Sequence, residues 1–309
     1  MAVQSGAYGE AAVMTDSSSY DIAVLLTCFN RRETTLRCLR ALYQQELPAG
    51  AELRVVLTDD GSSDGTGDAV RSEFPGATVL QGDGNQYWVG GTMMAWEAAR
   101  PAKFYLWLND DVKLRDGALM ALLNVQAASG DPATITVGAT CDPDAGKTCT
   151  GGMRRQGWYN VSVMEPTDEP QLCDSINGNI VLIPREAEER IGALDRAYTH
   201  FFADGDYGIR ARKQGIPVLL APGHLGECRL NPIANSSFDA KLPLAQRWRR
   251  MLGPKGYRPP RQWWAFVRAH APRPKAVYWL APYVLFGLES ATGGRVRLRR
   301  TVSRPMKIT

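Results

Sequence analysis

DIAVLLTC, residues Asp21–Cys28, is a short apolar run rich in branched side chains and without polar alternation. That is the pattern of a strand buried on both faces of a parallel sheet. Downstream, Arg32 to Gln45 sets Leu36, Leu39, Ala41 and Leu42 at helical spacing. The strand pattern returns at Leu53 to Leu57, Ala77 to Leu80 and Phe104 to Leu108. Helices are predicted between and after them over Gly65 to Phe74, Gly90 to Arg100 and Asp116 to Ala128. Strict β-α alternation predicts an α/β fold with a doubly wound, mostly parallel sheet. Ligands of such sheets bind beyond the carboxyl ends of the strands, where Thr27, Asp60 and Asp111 fall.

After residue 130 the rhythm loosens. Thr134 to Ala139, Asn179 to Ile183 and Pro217 to Ala221 read as strands, and Glu186 to Ile191 and Tyr207 to Gln214 as helical. Residues 140–176 are rich in Gly, Pro and Asp and read as hairpins and loops. From Leu242 the chain is helical, interrupted over Gly253 to Pro260. The expected organisation is a flexible segment over 1–19, one α/β domain over 20–237 and a helical region over 238–309.

At 309 residues and 44% hydrophobic, the chain can bury a large core. Its net charge of +4 conceals an asymmetry: residues 241–309 hold 16 Lys+Arg against the single acid Glu289, leaving 20 bases and 31 acids before them. Trp248, Trp263, Trp264, Phe266, Tyr278, Trp279, Tyr283 and Phe286 are interleaved with those bases. Cations with interfacial aromatics point to an anionic membrane surface; domain packing or an oligomer contact would use the same residues. Nucleic acid is the weaker reading, because the run Ala276 to Leu288 is too apolar for a phosphate groove. That run has 13 residues, and a spanning helix needs roughly 20. No basic segment followed by an apolar one opens the chain, so no signal peptide is expected. The six cysteines have no CxxC or zinc-like spacing and read as free thiols of a reducing cytosol, although Cys141 and Cys149 could meet across a hairpin.

Three acidic clusters follow apolar runs: Asp59-Asp60, Asp110-Asp111, and Asp204 with Asp206. Gathered carboxylates repel one another and lose hydration, so a cation, a ligand donor or a proton-transfer role usually offsets the cost. Asp60, in a strand-to-helix turn, can accept the N3–H of a pyrimidine, and Arg31 can offset phosphate charge; an ordinary Asx turn would look the same. Asp111 in Trp107-Leu108-Asn109-Asp110-Asp111 is placed for an oxygen-preferring cation such as Mg²⁺ or Mn²⁺. Asp204, behind Phe201-Phe202, can serve as a base, while Asp206 can be a structural cap. His224, just past a strand, can complete a metal site as neutral imidazole or be an ordinary surface residue.

The order and spacing of TCFNR (Thr27–Arg31), DDGSSDGT (Asp59–Thr66), GDGNQYWVGG (Gly82–Gly91), NDDV (Asn109–Val112) and ADGDYGIRARKQG (Ala203–Gly215) with a trailing histidine resemble family-2 glycosyltransferases of GT-A fold. The likeness covers roughly residues 20–230 and is greatest to bacterial rhamnosyl- and galactofuranosyltransferase-type members. The resemblance implies nucleotide contacts from Thr27, Asn30, Arg31, Asp60, Asp83, Asn109 and Asp110. It implies sugar or acceptor contacts from Trp88, Gly90, Asn177, Gly178, Asn179, Asp206 and Arg210, metal ligation by Asp111 and His224, and Asp204 as catalytic base. Asn109 replaces the first acid of the family's DxD motif, and Ala203 replaces the first of its Glu-Asp pair.

The implied activity is inverting transfer of a sugar from a UDP- or dTDP-sugar to a hydroxyl of a lipid-linked or growing bacterial glycan. It would take Mn²⁺ or Mg²⁺ and work at the cytoplasmic face of the plasma membrane through 241–309. The acceptor is expected near Gly151-Gly152, Asn177 to Asn179 and Lys255. Asn109 and Ala203 would also suit a non-catalytic nucleotide-sugar-binding scaffold. A sugar-1-phosphate nucleotidyltransferase would want a glycine-rich loop after the first strand, which TCFNRRE lacks. An ATPase would want GxxxxGK[ST], which the chain lacks.

Overall fold

Ile22 to Leu26 and Cys28 of the first apolar run are buried, which fixes it as the centre of the structure, a computed structural model describing residues 20–157, 160–230 and 234–291. The segment 1–19 and the end of the basic tail lie outside the described residues. β1 (Asp21–Cys28), α1 (Arg32–Tyr43), β2 (Glu52–Asp59), α2 (Thr66–Glu73), β3 (Thr78–Gln81), α3 (Tyr87–Ala99) and β4 (Phe104–Leu108) alternate as the pattern requires. The short β5 (Lys113–Leu114) and α4 (Ala118–Ala128) complete this half. β1 pairs in parallel with both β2 and β4, and β2 with β3.

The second half is mixed. It runs through β6 (Ile135–Asp142), β7 (Lys147–Thr150), β8 (Gly152–Gln156), β9 (Asn160–Val163), β10 (Gln171–Leu172), β11 (Ser175–Ile176) and β12 (Ile180–Pro184). α5 (Arg185–Ile191), α6 (Ala203–Lys213) and β13 (Val218–Glu227) follow. The main sheet has the order β10-β13-β6-β12-β4-β1-β2-β3, and β11-β8-β9 form a small second sheet. β12 runs antiparallel between β4 and β6, so the sheet is mostly rather than wholly parallel. The hairpin of β6 and β7 pairs Cys141 with Thr148 and leaves Cys149 at the bulge; all six cysteines are free thiols.

α7 (Leu244–Leu252), α8 (Pro260–His270) and α9 (Lys275–Ala291) form the carboxyl-terminal region. A boundary at 237/238 does not separate two cores. Trp263, Phe266 and Val267 of α8 are buried in the same cluster as Trp96, Trp107 and Tyr207. A buried polar tie joins the regions as well: His270 Nε2 meets Asp206 Oδ1 at 2.7 Å, and Lys213 Nζ meets His270 Nδ1 at 3.0 Å. No helix among the described residues is long and apolar enough to cross a membrane. On α9, however, Val277, Leu280, Val284 and Leu288 are exposed, and their spacing puts them on one helix face.

Candidate active site

The loops beyond β1, β2 and β4 meet at the carboxyl edge of the sheet. Asn30 adopts a left-handed conformation (φ 52°) and stitches two of them together: its N–H donates to Ser62 Oγ (2.9 Å), and its Oδ1 accepts Ser63 N–H (2.7 Å). Asp60 is buried and already in use. Oδ1 accepts the N–H groups of Gly84 (2.9 Å) and Gln86 (3.1 Å), and Oδ2 accepts that of Tyr87 (2.9 Å). The carboxylate thus caps the start of α3 from across the chain. Asp83 Oδ1 holds the same turn through Asn85 N–H and Gln86 Nε2, both at 3.0 Å. Thr27 packs on Gly91, where a Cβ would lie 2.4 Å from its methyl group. Gly90 stands over Gln86, whose Oε1 would be 2.7 Å from an added Cβ.

Arg31 Nη1 bridges Asp110 Oδ1 (3.1 Å) and Asp111 Oδ2 (2.9 Å). Burial holds the Asp110 carboxyl up at about 6 despite that guanidinium. Asp111 Oδ1 is buried and has no hydrogen-bond partner among the described residues. A hard carboxylate oxygen left open in this way fits Mg²⁺ or Mn²⁺. No group of three His, Cys, Asp or Glu residues is placed to cage a metal among the described residues. An ion at Asp111 would therefore complete its shell with ligand and water oxygens.

No hydrogen bond among the described residues joins Asp111 to His224. β13 is irregular on both sides of it, and its Nε2 lies 2.7 Å from Thr148 Oγ1, with Glu165 and Arg115 as its charged neighbours. The group beside Asp111 is Cys228, whose thiol is pushed up to about 12 by burial and then by that carboxylate. Asn109 is also not a free acceptor. Its Oδ1 takes the Trp88 indole N–H (2.8 Å) and its Nδ2 donates to Asn179 Oδ1 (2.7 Å), an amide ladder that an aspartate could not complete from the same atoms.

Asp204 lies in the first turn of α6, after Phe202 in a left-handed conformation (φ 75°). Its Oδ2 accepts Gly178 N–H (3.0 Å) and its Oδ1 accepts Gly205 N–H (2.7 Å). It sits deep in the cleft but is still reached by solvent, and burial raises its pKa against those two donors. Gly178 has no room for a side chain: a Cβ would lie 2.8 Å from the Trp88 ring and 3.3 Å from Asp204 Cβ. Beside Asp204 opens a cavity of about 140 Å³, lined among others by Arg155, Ser175, Asn177, Phe201, Tyr257 and Arg258. Asn177 Oδ1 is buried there without a partner among the described residues.

Asp206 and Arg210 are engaged with each other and with the fold. Arg210 Nε donates to Asp206 Oδ2 (2.7 Å), and its other nitrogens reach the carbonyls of Ile191 (2.7 Å) and Ala193 (3.0 Å). Ala203 is fully buried in the core, so an acid there would lose its hydration. The sequence reading missed Tyr257, Arg258 and Phe266 as cavity walls, because their basic-aromatic composition reads equally as a membrane surface.

Residues 23–155 match the family model described as Glycosyl transferase family 2. Two curated relatives, from Mycobacterium tuberculosis strains CDC 1551 / Oshkosh and ATCC 25618 / H37Rv, are each named N-acetylglucosaminyl-diphospho-decaprenol L-rhamnosyltransferase. Each is 28% identical over 207 residues, covering 57% of this chain and 66% of the relative, just under two thirds of its length.

Among solved structures, GalNAc-T7 with UDP, GalNAc and Mn²⁺ superposes at a TM-score of 0.54 and 15% identity, over 69% of this chain and 44% of that one. Mannosyltransferase PcManGT from Pyrobaculum calidifontis, in complex with GDP-Man and Mn²⁺, gives 0.53 and 15%, over 90% and 73%. These two show likeness of fold. The fold is that of the GT-A glycosyltransferases. The match to the Glycosyl transferase family 2 model lies within that fold, over residues 23–155.

Proposed function

We propose that the protein is an inverting glycosyltransferase that moves a hexosyl or deoxyhexosyl group from a UDP- or dTDP-sugar to a hydroxyl of a lipid-linked glycan. The observation that carries this reading is Asp204: a carboxylate with a raised pKa, oriented by two backbone N–H groups, opening on a cavity beside the loops of the sheet edge. The name of the curated relatives supports the lipid-linked acceptor and makes an L-rhamnosyl donor the first to try.

The nucleotide lies over the loops after β1 and β2. Asp60 has one acceptor position left on Oδ2 for a pyrimidine N3–H. Arg31 faces the diphosphate, and Trp88, held by Asn109, bounds the sugar. Asp111 would hold a divalent cation, which when bound supplies positive charge to the departing diphosphate. An acceptor hydroxyl in the cavity gives its proton to Asp204 while its oxygen attacks the anomeric carbon. The bond from that carbon to the diphosphate oxygen breaks on the opposite side, so configuration inverts. The exposed apolar face of α9, with the basic tail, serves as a membrane-surface contact at the inner face of the plasma membrane.

The non-catalytic scaffold reading rested on Asn109 and Ala203. The structure gives both a packing reason, so neither favours it. A donor panel with a lipid-linked acceptor, read by released nucleoside diphosphate with Mn²⁺, Mg²⁺ or chelator, tests the assignment. Acceptor-dependent release from a UDP- or dTDP-sugar is expected; none from any pyrimidine donor would refute it. For the membrane contact, Leu280→Glu with Val284→Glu is expected to lower co-flotation with anionic liposomes, and unchanged flotation would remove that element.

A further inference from the structure

The loop between α7 and α8 does more than connect them. It is pinned to the segment before Asp204: the Pro254 carbonyl accepts Thr199 Oγ1 (2.9 Å) and Gln262 Nε2 (3.3 Å), and Thr199 N–H donates to Gln262 Oε1 (3.2 Å). The Thr199 carbonyl in turn accepts Val89 N–H of α3 (3.0 Å). One hydrogen-bonded chain therefore runs from the carboxyl-terminal region to the sheet-edge loops. Gly256 makes the tight return possible, since a Cβ there would lie 2.3 Å from the Met251 carbonyl oxygen.

At the tip of that loop stands Lys255. Its ammonium is exposed and lies 5.6 Å from the Phe29 ring centroid and 5.3 Å from that of Tyr87. These rings belong to the two loops that hold Asn30 and cap on Asp60. Cation–π contact orients an ammonium without neutralising it, and Lys255 has no carboxylate partner among the described residues. Arg31, on the same side, uses only Nη1 on Asp110 and Asp111, leaving Nε and Nη2 open among the described residues. The two cations are joined through one loop: the Phe29 ring that Lys255 meets lies two residues before Arg31. Two fixed cations with spare donors, on rigid loops around one cleft, make a site for a doubly charged anion.

We infer that Lys255 and Arg31 form a two-sided clamp for the diphosphate of the donor, with the carboxyl-terminal region supplying one jaw. This rests on the nucleotide-sugar reading and moves Lys255 from the acceptor side, where the sequence placed it, to the donor side. It also gives the basic region a task apart from any membrane: the loop closes the phosphate end of the cleft in front of Asp204. Lys255 is exposed, so its replacement leaves the fold intact.

Calorimetric titration of the full chain with UDP, dTDP, uridine and inorganic pyrophosphate tests the clamp. Lys255→Met is expected to weaken the diphosphates and pyrophosphate about tenfold or more, to leave uridine unchanged, and to recover most of the loss as Lys255→Arg. Equal UDP affinity in wild type and Lys255→Met, or equal losses for UDP and uridine, would overturn the clamp while leaving the nucleotide reading in place. If the wild type binds none of the four, both fall together.

Discussion

The two halves of the cleft are built by different means. On the β1–β4 side, polar residues are satisfied within a few loops: Asp60 by three backbone N–H groups, Asn30 by Ser62 and Ser63, Asp64 by Arg32 and Thr66. On the β6–β13 side, Asp204 likewise takes a backbone N–H from a nearby loop, that of Gly178, but Asp206 depends on His270 and the cavity wall on Tyr257 and Arg258, all from the carboxyl-terminal region. The first half is a preassembled loop cradle, and the second is a tertiary construction completed by the carboxyl-terminal helices. Binding of a nucleotide should therefore be separable from turnover by mutation.

Asp204→Asn removes the base but keeps the shape. Turnover is expected to fall by roughly 10²–10⁴, with nucleoside diphosphate affinity unchanged in titration; equal losses of both would merge the two halves. The pH profile carries the same residue's sign. Asp204 acts deprotonated and its pKa is raised by burial, so activity falls as pH drops through that raised value. The acid limb thus lies above the ordinary carboxylate range of about 4.

His270→Ala cuts the tie between α6 and α8. Taking one partner from a buried ionic network costs about 3 kcal/mol, read by denaturant unfolding, with the acid limb of stability altered. Burial acts to raise Asp206, but His270 and Arg210 outweigh it and its pKa is lowered. Its stabilisation is then complete above the unfolded carboxylate value and is lost as pH falls through the lower folded one. Without His270 that loss should be shallower.

Gly178→Ala forces a methyl group between Trp88 and Asp204. A cost of about 1–3 kcal/mol is expected, together with slower turnover and intact nucleotide binding. Asn109→Asp removes one donor from the amide ladder and should cost only about 1 kcal/mol; a gain in divalent-cation affinity instead would show that residue 109 faces the metal.

The same contrast explains what could be read from the chain. β1 is found at its true limits because burial on both faces writes an unbroken apolar run, and two of the acidic clusters, Asp59-Asp60 and Asp110-Asp111, stand where strands end. α3 begins at Tyr87 rather than Gly90 because its cap is Asp60, which lies in a different loop. α6 begins at Ala203 rather than Tyr207 because Asp204-Gly205-Asp206 reads as a cap yet is the first turn itself. β13 continues through Pro222-Gly223 by means of register shifts, which carries His224 to Thr148 and Cys228 to Asp111. Trp263 and Phe266 read as interfacial but are core, a distinction that only the packing of α8 makes visible.

A crystal structure with a pyrimidine nucleoside diphosphate and Mn²⁺ bears most directly on the claim that both halves face one cleft. The account predicts the base over the Asn30 and Asp60 loops, phosphates between Arg31, Asp111 and Lys255, and the free end of the diphosphate toward Asp204. A nucleotide bound away from those residues, or with its diphosphate facing away from Asp204, would contradict it.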